Sequence, residues 1–239
     1  MRLDEEYCLS EYVDLGRLGD NEKVHIVRNQ VNGVIGVRKY VALDLEEIYL
    51  FLKENPNAYI PKIYECIQTD TNLIVIEEYL SGKNLEEMLK EKYFSEKDAA
   101  DIIICLCNAL YPLHHAKMPV ICRDLKAENV ILTNEGEVKL VDFDIARIYQ
   151  PGKSKDTVMM GTQGYAAPEQ FGFGQTDART DIYAMGVLLN YMLVREFPME
   201  KLTEGKFRTI VLKCIKINPE DRYQNVDELK ADICNAAEI

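Results

Sequence analysis

Two hydrophobic periods divide the chain. From residue 12 to about residue 79, apolar residues come in short β-branched runs: 24–28, 34–39, 60–64 and 72–76. Short runs of this composition, bounded by turn formers, predict strands. Asn32-Gly33 lies between the first two runs and predicts a tight turn. One helix interrupts them, with Leu45, Ile48, Tyr49 and Leu52 at helical spacing and an end before Asn55-Pro56. Past residue 80 the period becomes helical. Ser95-Glu96-Lys97-Asp98 reads as a capping-box start for a helix running through Ile102, Ile103, Leu106, Leu110 and Leu113. Ile182 to Val194 is apolar nearly all round and predicts a buried helix, with Thr180-Asp181 as its cap. The last helical patterns are 207–215 and 226–234. The expected class is α+β, mostly β to residue 79 and mostly α from 80 to 239.

Composition narrows the partners. The 239 residues are 47% hydrophobic and carry a net charge of −12. That balance is ordinary for a globular chain and argues against nucleic acid or an anionic membrane, which select basic surfaces. The seven cysteines (8, 66, 105, 107, 122, 214 and 234) include no Cys-x-x-Cys pair and read as reduced, mostly buried thiols in a cytosolic setting. The apolar run around Ile102 to Leu106 falls far short of the roughly 20 residues of a membrane span, and acidic residues follow Met1-Arg2-Leu3 where a secretory signal would be apolar. The expected location is therefore cytoplasmic. His114-His115 lacks the helical spacing of a metal pair and reads as structural.

The chemistry is concentrated in Val120-Ile121-Cys122-Arg123-Asp124-Leu125-Lys126-Ala127-Glu128-Asn129-Val130-Ile131-Leu132. Apolar residues lead in and out, so the polar ones sit on a loop held between packed segments. A carboxylate (Asp124), an ammonium (Lys126) and an amide (Asn129) within one short turn can orient a hydroxyl, neutralise a transferred phosphoryl group and ligate a metal. Lys139-Leu140-Val141-Asp142-Phe143-Asp144 then supplies a second carboxylate at the end of an apolar run.

This order resembles the catalytic loop and metal-binding triplet of protein kinases. Ala167-Pro168-Glu169-Gln170 and Asp181-Ile182-Tyr183-Ala184-Met185-Gly186 look closest to bacterial serine/threonine kinases of the Hanks type. The resemblance implies a two-lobed fold in one domain, with ATP and Mg²⁺ (or Mn²⁺) as nucleotide and metal. It implies Asp124 and Lys126 as catalytic residues and Asn129 and Asp142 as metal ligands. Lys39 is implied on the nucleotide's inner phosphates, with Gly19 and Val24 on the phosphate loop. Glu78 and Leu80 are implied hinge residues whose backbone meets adenine. Gly161-Thr162-Gln163-Gly164-Tyr165-Ala166-Ala167-Pro168-Glu169 resembles the shelf for a peptide substrate, so Thr162, Pro168 and Glu169 are implied there. Small-molecule phosphotransferases lack this block. Thr162 with Lys126 points to serine/threonine hydroxyls of proteins. Asp181 is implied as the brace of the catalytic loop, and Arg222 as the ion-pair partner of Glu169. Ser154 and Thr157 are candidate phosphosites, with Arg123 and Arg147 to receive the phosphate.

The chain departs from the family pattern at several positions. The stretch 18–24 has one glycine where the family shows three. The glutamate that pairs with the strand lysine is open between Glu46 and Glu47, and Glu77 stands at the rear of the adenine pocket, where apolar residues are usual. Cys122 replaces a histidine; beside Arg123 it is a candidate for a lowered pKa and redox chemistry, against simple packing. Asp144 replaces a glycine. The stretch 197–207 is too short for the usual substrate-docking helix. The rival reading is a binding module with this fold and little turnover. Substrate identity, upstream signal and oligomeric state stay open.

Overall fold

A five-stranded antiparallel sheet organises residues 12–78. In the computed structural model, which describes residues 3–19, 22–91, 93–152, 160–172 and 174–239, the chain forms two compact units, residues 1–81 and 82–239. In the first unit a short helix α1 (Leu3–Ser10) precedes β1 (Tyr12–Arg17), β2 (Val24–Asn29), β3 (Ile35–Val41), helix α2 (Glu46–Glu54), β4 (Ile63–Gln68) and β5 (Leu73–Glu78). The sheet order is β1-β2-β3-β5-β4.

Local chemistry explains most of these boundaries. The β2–β3 turn is held by Asn29, whose Oδ1 accepts from the N–H groups of Val31 and Asn32 at 2.9 and 3.1 Å. Gly33 closes that turn at φ +76°, a region closed to most side chains. The expected strand at 60–64 begins only at Ile63, because Pro61 has no N–H to give to a ladder. Strand β5 runs two residues beyond expectation, so Glu77 and Glu78 belong to the sheet. Helix α2 buries Ile48, Tyr49 and Leu52.

The second unit holds β6 (Gly82–Asn84), α3 (Leu85–Glu91), α4 (Glu96–His114), β7 (Val120–Ile121), β8 (Val130–Thr133), β9 (Val138–Leu140), β10 (Arg147–Ile148), α5 (Ala178–Val194), α6 (Gly205–Cys214) and α7 (Val226–Ala237). The predicted capping box at Ser95 and Asp98 starts α4. Helix α5 begins earlier than predicted. Its cap is Asp177, which accepts from Arg179 N–H, while Thr180 lies inside the first turn and donates its hydroxyl elsewhere. Asp181 is fully buried and faces another loop. Ile182, Met185, Leu188 and Met192 of α5 are also fully buried, as an all-round apolar pattern requires.

No helix forms in 195–204, between α5 and α6. Buried Asn190 staples that connection instead. Its Nδ2 donates to the carbonyls of Glu196 and Lys201, both at 2.8 Å, and its Oδ1 accepts from Thr203 N–H at 2.8 Å. Among the described residues no helix is long and apolar enough to cross a membrane.

Candidate active site

The loop between β7 and β8 is fixed from below by one carboxylate. Asp181 Oδ1 accepts from Arg123 N–H at 2.8 Å and its Oδ2 accepts from Cys122 N–H at 2.9 Å. His114, at the end of α4, places Nε2 2.8 Å from the same Oδ2, with its own side chain buried. A buried carboxylate needs such partners. Arg123 is held at φ 69° and Asp142 at φ 67°, sparsely populated angles that persist only where the surroundings impose them. His114 thus has a structural use, which spacing alone could not reveal.

Cys122 is not the reactive thiol its neighbour Arg123 suggests. It is fully buried, and burial first, then the Asp181 carboxylate, pushes its thiol well above the ordinary value. A protonated, enclosed thiol is inert, so the packing alternative holds and the lowered pKa does not. Of the seven cysteines, three (107, 122 and 214) are buried and four are half-buried, none in a disulfide. Burial also raises Cys66 to about 11.

Three expected residues converge above this base. Lys126 Nζ lies 2.8 Å from Asp124 Oδ2, and Asn129 Nδ2 donates to Asp124 Oδ2 at 3.0 Å and to its carbonyl at 2.9 Å. Thr162, 38 residues downstream, joins them: its hydroxyl donates to Asp124 Oδ1 at 2.7 Å and accepts from Lys126 Nζ at 3.1 Å. Asn129 has committed its nitrogen, so its amide oxygen is the atom left for a ligand. Val141 N–H donates to the Asn129 carbonyl at 2.9 Å, which ties the start of the Asp142 triplet to this loop. Asp142 Oδ1 accepts from Asp144 N–H at 3.1 Å.

An amide oxygen and one carboxylate suit Mg²⁺, a hard cation that keeps waters and phosphate oxygens and asks little of the protein. Among the described residues no cluster of three or more His, Cys, Asp or Glu forms a protein-only metal cage. The donor set fits a divalent cation that completes its coordination with other oxygen ligands.

Glu169 and Gln170 are anchored by residues far away in sequence. Glu169 is bound by Arg222 through two parallel contacts, Nη1–Oε1 at 2.7 Å and Nη2–Oε2 at 2.9 Å, and by the Thr180 hydroxyl at 2.8 Å. Gln170 was not singled out from sequence. Its Nε2 donates to the carbonyls of Arg123 and Met160, both at 2.8 Å, so it clamps the Pro168 turn to the loop that carries Asp124. Pro168 opens the short 3-10 turn that carries Glu169 and Gln170. Gly164 is needed at φ +92°, where a Cβ would also come within 2.7 Å of the Phe197 ring. Ser154 and Thr157 lie outside the described residues.

In the first unit, Lys39 Nζ forms an ion pair with Glu77 Oε1 at 2.5 Å, with side chains only 13% and 9% exposed. Between Glu46 and Glu47, at the start of α2, the sequence decides nothing; the ion pair observed is with the neighbouring strand. Val24 stands opposite Lys39 in the β2–β3 register.

Residues 28–236 match the model of the protein kinase domain. The chain belongs to the protein kinase family. It is 32% identical to the probable serine/threonine-protein kinase PknB of Corynebacterium glutamicum, over 66% of this chain and 29% of that protein. It is 32% identical to a probable serine/threonine-protein kinase of Clostridium perfringens, over 70% of this chain and 27% of that one. It is 28% identical to PknB of Mycobacterium tuberculosis, over 97% of this chain and 43% of that protein. The kinase chain thus spans less than half the length of each of these relatives.

The remaining family positions of this kinase can be located within its first unit. Gly19, at φ +67°, lies in the β1–β2 connection, which Leu18 N–H closes onto the Val24 carbonyl at 2.9 Å. A second glycine, Gly16, was missed upstream of the stretch read as the phosphate loop. It sits at φ +130° beside the β1 bulge, where a side chain would be strained. Glu78 ends β5 and spends its N–H on the Lys62 carbonyl at 2.8 Å. Leu80 follows, half-buried and outside regular structure.

Proposed function

We propose that this chain is the catalytic domain of a serine/threonine protein kinase that transfers the γ-phosphoryl group of ATP to protein hydroxyls, its own included. The observation that carries the reading is the contact set of Asp124: a threonine hydroxyl, the Lys126 ammonium and the Asn129 amide all on one carboxylate. Asp124 accepts the hydrogen bond of the substrate hydroxyl and orients its oxygen for in-line attack. Lys126 offsets the charge on the phosphoryl group as it moves. Asn129 and Asp142 hold the divalent metal, which when bound supplies charge neutralisation along the triphosphate. Lys39 grips the inner phosphates, and the carbonyl of Glu78 and backbone of Leu80 meet adenine.

Thr162 supports hydroxyl over phenol as the acceptor, because its own hydroxyl already occupies Asp124 Oδ1 and narrows the approach. The block from Gly161 to Glu169, tied to the catalytic loop through Gln170, supports a peptide rather than a small molecule. Thr157 is the proposed self-phosphorylation site and Ser154 the second. Incubation with γ-labelled ATP and Mg²⁺, with and without a generic protein substrate, is expected to label Ser or Thr on substrate and on the chain between residues 150 and 165. Absence of label in both, with nucleotide still bound, would leave the non-catalytic binding module as the correct reading.

Asp144 gives a prediction particular to this chain. It is exposed, and its φ lies outside the left-handed range, so its backbone does not require the glycine usual in the family. Its N–H holds Asp142 Oδ1, and its carboxylate adds negative charge beside the metal ligand. The expected outcome is that Asp144→Gly shifts the dependence of initial rate on free Mg²⁺ and Mn²⁺ while thermal melting stays nearly unchanged. Superimposable metal curves would make Asp144 a turn residue only.

A further inference from the structure

The carboxylate at position 77 has no reason to be buried unless something answers it. Glu77 lies in β5 with Val37 opposite it on β3 and Ile63 opposite it on β4, both buried and apolar. A lone carboxylate there would carry a heavy desolvation cost. The register resolves this. Val37 pairs with Glu77 and Lys39 pairs with Val75, so Lys39 and Glu77 are diagonal neighbours on one face of the sheet, within reach of long side chains. The lysine Nζ meets Glu77 Oε1 at 2.5 Å. Two charges that would each be costly alone are held together in a site with little water.

We propose that Glu77 is a positioning residue for Lys39, so that the nucleotide-gripping lysine is held from within the sheet. The inference rests on the reading that Lys39 holds nucleotide phosphates. A partner on a helix can be withdrawn when the helix moves. Glu77 cannot be withdrawn this way, because β3 and β5 are paired continuously from Gly36 to Val41 and from Leu73 to Glu78. Glu46 is half-buried and Glu47 exposed at the first turn of α2. The Lys39–Glu77 pair is thus set by strand register rather than by the placement of α2.

The test uses the full chain and reads steady-state kinetics together with binding of a fluorescent N-methylanthraniloyl ATP. Glu77→Gln is expected to raise KM for ATP and Kd for the probe by about tenfold, with a smaller change in kcat. Glu46→Gln with Glu47→Gln is expected to stay within about twofold of the parent in all three. The double variant Lys39→Met/Glu77→Gln is expected to bind the probe no more weakly than Lys39→Met alone, since Glu77 acts through the lysine. A probe Kd for Glu77→Gln near the parent's overturns the proposal, as does a double variant weakened by the product of the two single effects. Should Glu77→Gln fail to fold, Glu77→Met, of similar volume, takes its place with the same criteria. If Lys39→Met itself leaves kcat, KM and Kd unchanged, the assignment of Lys39 to the phosphates fails, and the inference falls with it.

Discussion

Asp124→Asn is expected to lower kcat for phosphoryl transfer by about a thousandfold, the scale of a lost proton acceptor in a transition state. The carboxylate takes hydrogen bonds from Thr162 on one oxygen and from Lys126 and Asn129 on the other. An amide in its place fills the same volume but presents an NH2 to one of these donors, so one oxygen's contacts become repulsive. Asp124 does not hold nucleotide in this reading, so KM for ATP should change little. The side chain is partly exposed, and the melting temperature should move by only a few degrees. The measurement is initial rate with γ-labelled ATP, alongside a thermal melt. Activity within tenfold of the parent, with label on Ser or Thr, would remove Asp124 from the mechanism.

Arg222→Ala should be the most damaging single change to the fold of the second unit. The guanidinium is completely enclosed. Besides the two contacts to Glu169, it donates to the carbonyls of Lys216 at 2.7 Å, Arg179 at 3.0 Å and Ile217 at 3.1 Å. Truncation leaves the buried Glu169 carboxylate with the Thr180 hydroxyl alone and removes three backbone contacts at once. Breaking one side of a buried pair costs about 3–5 kcal/mol. For a chain of this size that corresponds to a fall in melting temperature of roughly 10 °C. Arg222→Lys should rescue little, since an ammonium cannot match the fork that grips both carboxylate oxygens. A melting temperature within about two degrees of the parent would show that the pair is replaceable. Glu169 and Gln170 share one short turn, so activity should fall with stability in Arg222→Ala.

Much of this was legible in the chain itself. Apolar period placed the strands and helices, because side chains on one face of a strand or helix must reach a common core. The spacing of Asp124, Lys126 and Asn129 was legible because all three sit on one local turn, where sequence distance and spatial distance agree. Boundaries slipped where a local rule outweighed the pattern: Pro61 delayed β4, and Asp177 took the cap expected of Thr180. What only tertiary structure decided were contacts between residues far apart in sequence. Lys39 pairs across 38 positions with Glu77 because strand register, not helix position, brings them to one face. Gln170 reaches Arg123 across 47 positions, and Asp181 reaches Cys122 across 59. Each is a polar side chain with no periodic signal of its own. The residue type states that a buried partner is required, and only the packed chain determines which partner that is.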